Sequence, residues 1–137
     1  METNDAASPL LESIGKLIRE ETKQNEYRVL LWAEVEEGAL SVALFVERGN
    51  HIDYVGPSWD KNYDILFDLW YLQAANRWSE IEYLLERDTF KVRFAYAEEF
   101  DPEEESFDRR DRTVQRYFGE KPIVYPPWDD SLPTYDL

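Results

Sequence analysis

Thirty carboxylates, one histidine and no cysteine set the chemistry open to this chain of 137 residues. Without a thiol there is no disulfide, no thiolate metal site and no cysteine nucleophile, which suits a reducing compartment. Zinc needs several His or Cys donors, and His51 stands alone. Seven serines permit a Ser–His–acid set by count. Yet no G-x-S-x-G elbow occurs, and His51 falls at the start of an expected strand, where a strand-edge or partly buried histidine is the simpler reading. Asp101, Glu103 and Glu105 have the one-three-five spacing of a calcium loop, but Ser106 stands where that loop needs glycine and Arg112 where it needs a bidentate acid. The five glycines form neither G-x-x-x-x-G-K nor G-x-G-x-x-G, so no phosphate cradle is marked. With thirty acids every carboxylate spacing occurs somewhere, so spacing says nothing about glycoside hydrolysis. No catalytic, cofactor-binding or metal-ligating residue is assigned, and the chain is expected not to be an enzyme.

The acids themselves are the stronger signal. Against the thirty Asp and Glu stand 15 Lys and Arg, a formal net charge of -15. Binding to phosphate backbones depends on Lys and Arg, so nucleic acid is not expected as a partner, nor is an anionic membrane surface. A basic partner is favoured, or solubility alone. Seven of the eleven residues 98–108 are acidic. Such a run reads either as a solvated loop or as a surface offering carboxylates to a cationic site. On the second reading Glu98, Glu99, Asp101, Glu103, Glu104 and Glu105 are the partner-binding residues. Phe100, Phe107, Tyr125 and Trp128 are then candidate apolar anchors, though for each alone packing against the domain's own core is the simpler reading.

The elements that must position these residues follow from periodicity. Forty-three per cent hydrophobic and 15% aromatic residues supply a real core, and the length suits one domain over 1–137. Residues 1–8 are expected to fray. Ser8-Pro9 starts a helix, with Leu10, Leu11, Ile14, Leu17 and Ile18 on one stripe, ending near Lys23–Asn25. Three apolar runs follow, 27–35, 39–46 and 51–55, separated by Gly-containing turns and read as an antiparallel meander. In the first run Leu30, Trp32 and Glu34 face one way and Val29, Leu31, Ala33 and Val35 the other, so a central strand is expected to be covered on both sides.

A long helix is expected from Asp60 to about Arg77, with Ile65, Leu66, Leu69, Trp70, Leu72 and Gln73 as its stripe. Residues 78–87 fit a strand or a helical turn. The clean alternation of Phe90, Val92, Phe94 and Tyr96 favours a hairpin turning near Asp88-Thr89. A last helix, 108–118, turns Val114, Tyr117 and Phe118 inward and stops at Gly119. The Pro-rich tail 121–137 is expected to be extended and partly docked by its aromatics. The fold class is α+β: an antiparallel sheet of about five strands with helices packed on it, in the order α-β-β-β-α-β-β-α plus the tail.

This order resembles the YezG-like family of bacterial immunity proteins. The likeness runs through Tyr27–Val46, the helix Tyr63–Leu72 and above all 90–100, Phe-Lys-Val-Arg-Phe-Ala-Tyr-Ala-Glu-Glu-Phe. It continues into Ser106–Arg110 and the aromatic end Tyr117-Phe118. The resemblance implies an α+β protein that binds and neutralises a cognate toxin domain, often a nuclease, inside the producing cell. It places no binding motif residue by residue.

A polar, acidic start at Met1–Asp5, with apolar runs no longer than Val29–Ala33 and Val42–Val46, carries neither a secretory signal nor a span, so a cytoplasmic protein is expected. The expected function is a non-enzymatic immunity protein that occludes a basic toxin site. A small-molecule or peptide-binding adaptor is the alternative, motivated by the Trp- and Tyr-rich composition; an undetected hydrolase ranks behind both.

Overall fold

The computed structural model describes residues 6–23, 27–58, 60–126 and 135–136. It is α+β: a six-stranded sheet in the order β5-β4-β1-β2-β3-β6, with helices on both faces. The strands are β1 (Val29–Glu36), β2 (Ala39–Glu47), β3 (Ile52–Val55), β4 (Glu80–Glu86), β5 (Thr89–Ala95) and β6 (Ile123–Val124). The helices are α1 (Ala7–Thr22), α2 (Ile65–Trp70) and α3 (Ser106–Phe118), with a short 3-10 turn at Ala97–Glu99.

The meander forms as its pattern dictates. β1 pairs with β2 from Val29↔Val46 to Glu36↔Ala39, and Gly38, at φ 79, supplies the left-handed residue of the turn between them. β1 also pairs antiparallel with β4, so it is central and buried on both faces. Val29, Leu31, Ala33 and Val35 pack under α1 and α2 with Ile14, Ile18, Leu66 and Trp70. Leu30 and Trp32 pack on the opposite side with Val114 and Phe118 of α3. β4 and β5 form the expected hairpin, from Glu80↔Ala95 to Glu86↔Thr89.

Three expectations need correction. Helix α1 starts at Ala7, so Ser8 lies inside it rather than capping it, and Ala7 and Ser8 are not frayed. Residues 1–5 lie outside the described residues, as does Asn25 at the far end; Lys23 closes the helix in the left-handed region at φ 55.

The second helix is far shorter than expected. The backbone N–H and hydroxyl of Ser58 and the hydroxyl of Tyr63 all donate to the Glu21 carboxylate of α1, which keeps this approach to α2 as a loop. After Trp70 the chain folds back: Trp70 Nε1 donates to the Trp78 carbonyl at 2.7 Å, and the Arg77 guanidinium lies 4.8 Å from the Trp70 ring. These tertiary contacts override helix propensity across 71–77.

The tail, thirdly, adds a sixth strand. β6 pairs parallel with β3 through Ile52↔Ile123, and the Ile52 N–H donates to the Pro122 carbonyl at 2.9 Å. Trp128, Pro127 and Pro133 lie outside the described residues.

Candidate partner-binding surface

The acidic segment is built from β5, the 3-10 turn and the first turn of α3. At its start, Glu99 accepts a hydrogen bond from the Tyr96 N–H at 2.7 Å and lies 3.8 Å from Arg93. Asp101 accepts the Glu103 N–H at 3.0 Å, which fixes the turn after Pro102. Glu104 is held by Arg112 of α3. Glu98, Glu103 and Glu105 are exposed and make no ion pair among the described residues. The six sequence-predicted acids therefore divide. Glu99, Asp101 and Glu104 shape the segment, while Glu98, Glu103 and Glu105 present carboxylates to solvent.

Helix α3 holds this segment against the sheet through charge pairs with buried glutamates. Arg109 Nε donates to Glu80 at 2.5 Å and Nη2 to Glu34 at 3.0 Å. Its guanidinium lies 3.9 Å from the ring centroid of Phe100. Trp32 Nε1 also donates to Glu80, which is 1% exposed. Burial pushes the Glu80 carboxyl above its ordinary range, with Arg109 and Trp32 working against that rise. Glu82, 2% exposed, accepts from Arg116, from Tyr117 Oη at 2.8 Å and from Arg93 at 3.0 Å. Burial, then the neighbouring Glu82, raises the Tyr117 phenol.

Glu34, Glu80 and Glu82 lie side by side across β1 and β4, in register Glu34↔Glu80 and Trp32↔Glu82. The detectable signal was the pair Arg109 and Arg116, two helical turns apart and so on one face of α3. Each of the acids is individually partnered, as buried charges must be.

Of the candidate anchors, Phe100 is packed beneath Arg109, whereas Phe107 is 64% exposed and Tyr125 47%. His51 contacts Asn50 through Nδ1 at 2.8 Å and Asp53 through Nε2 at 3.2 Å. No group of three or more His, Cys, Asp or Glu among the described residues is arranged to hold a metal ion. A hollow of about 340 Å³ is lined by Tyr27, Arg28, Glu86, Arg87, Asp88 and Thr89. No helix among the described residues is long and apolar enough to cross a membrane.

The chain matches no protein-family model and no curated protein sequence.

Proposed function

We propose that this protein is a non-enzymatic immunity protein of the cytoplasm. It binds a cognate bacterial toxin domain and neutralises it by covering a basic surface with the acidic segment 98–105. One observation carries the reading: Glu98, Glu103 and Glu105 project without an ion-pair partner among the described residues from a segment flanked by Arg93 and Arg109, which are anchored on buried glutamates. Carboxylates on an ordered backbone need no backbone ordering to meet cations, and no internal ion pair among the described residues opposes the contact. The net charge of -15 and the resemblance to YezG-like proteins point the same way.

Co-expression with the product of the adjacent reading frame tests it. The two chains are expected to co-purify, and growth inhibition by the toxin domain to be relieved. Changing Glu98, Glu103 and Glu105 together to Ser is expected to abolish that relief while leaving the thermal melt unchanged. A neighbour that is no toxin, or full protection by the triple variant, overturns the proposal.

A further inference from the structure

Phe107 and Tyr125 are brought together by one guanidinium. The Arg110 group lies 4.7 Å from the Phe107 centroid, and its Nη2 donates to Tyr125 Oη at 3.1 Å. Tyr125 in turn sits 5.1 Å from the Tyr54 ring, which is 5.6 Å from buried Phe45. Arg110 is itself buried, and its charge is met by Asp111 Oδ1 at 3.4 Å. The two exposed rings are thus set on a base of arginine and aromatics, with exposed Val124 beside Tyr125. Asp108 and Asp111 share the helix with Phe107, and Glu103 and Glu105 precede it.

Aromatic faces and carboxylates attract the same ligand. A cation is drawn to the negative face of a ring, and the alkyl stem of Lys or Arg packs on apolar surface while its head reaches an acid. We infer that Lys or Arg side chains of a basic protein partner dock over Phe107 and Tyr125, with Glu103 and Asp108 receiving their charged ends. This rests on the immunity reading and deepens it: the aromatic pair is the anchor, and Glu98 serves the approach. A second copy of this chain is a poor occupant, since it would bring like charge to like charge.

The probe is octaarginine, titrated at low salt into the isotope-labelled full chain and followed by amide shifts, with octaglutamate as control. Shifts are expected over 103–111 and 123–125. Phe107→Ser and Phe107→Leu are both expected to weaken binding by roughly 3- to 10-fold, the range of a cation–π contact, with the Leu variant keeping apolar bulk but losing the ring. Unchanged affinity in both variants, with shifts confined to 98–101, overturns the anchor and leaves the acidic-surface reading standing. No response to octaarginine overturns both. A concentration-dependent dimer lost in Phe107→Ser assigns the patch to a second copy and overturns the anchor.

Discussion

Glu80 and Arg109 show how much depends on single side chains. Arg109→Met would leave Glu80 buried without its guanidinium, and the expected loss is about 3–5 kcal/mol in chemical denaturation. Adding Glu80→Gln removes the stranded charge and is expected to restore most of that. Gly15 is a different case. A Cβ there would sit 2.8 Å from Tyr83 Oη, which donates to the Leu11 carbonyl at 2.7 Å. Gly15→Ala therefore gains about 1 kcal/mol of helix propensity but overpacks the α1–sheet contact, for a net loss of about 1–2 kcal/mol. In combination with Tyr83→Phe the clash disappears, so the double variant is expected to be more stable than the two single losses sum to.

From sequence, Gly15 reads only as a weak point in a helix, because the tyrosine that needs the space is 68 residues away. Glu80 and Glu82 alternate with Ile81 and Tyr83, a pattern that reads as a solvent-facing side. Only the position of α3 shows that the face is covered.

At the level of elements, Glu47 of β2 ties three segments together. Its carboxylate accepts two hydrogen bonds from Arg28, at 2.8 and 2.7 Å, and one from Lys121 at 3.0 Å. The Arg28 hydrogen bonds lower its pKa below the ordinary 4.5, with Lys121 assisting and burial opposing. A carboxyl whose folded pKa is depressed binds protons more readily when unfolded. Its contribution is therefore complete above pH 4.5 and fades as pH falls through the folded value. Glu21, held down by Ser58 and Tyr63 against a burial effect that opposes them, acts with the same sign; Glu80, raised, acts with the opposite one. Thermal melts between about pH 5 and 3 are expected to fall less steeply for Glu47→Gln than for the native chain. Parallel curves would remove Glu47 from the account.

Strands β1, β2, β3 and β5 were legible from short apolar runs and, in β5, a clean two-residue period, whereas 78–87 also fits a helical turn and is legible as β4 only through its hairpin with β5. Helix α2 was overread, since Asp60, Asp64 and Asp68 recur at helical spacing although 60–64 is tied down by Glu21 and turns. Strand β6 was missed because two residues, Ile123 and Val124, carry no period at all.

On the scale of the whole molecule, -15 charges surround a sheet whose own core uses glutamates and arginines in matched sets. The interior pairs leave the field to the exposed acids, Glu98, Glu103 and Glu105 among them. The acidic character of residues 98–105 was plain in the sequence; which acids shape the segment and which face outward was not, because that depends on Arg93 and Arg112 approaching from β5 and α3. A field of this kind raises encounter rates with cationic partners by roughly 10-fold or more, and salt screens it over about 10 Å at 0.1 M.

The most direct measurement is the association rate with the adjacent-frame toxin domain as ionic strength rises, for the native chain and for the Glu98, Glu103 and Glu105 to Ser variant. A steep fall with salt for the native chain, flattened in the variant, is the predicted result. Rates that are insensitive to salt and equal in the two proteins would contradict it.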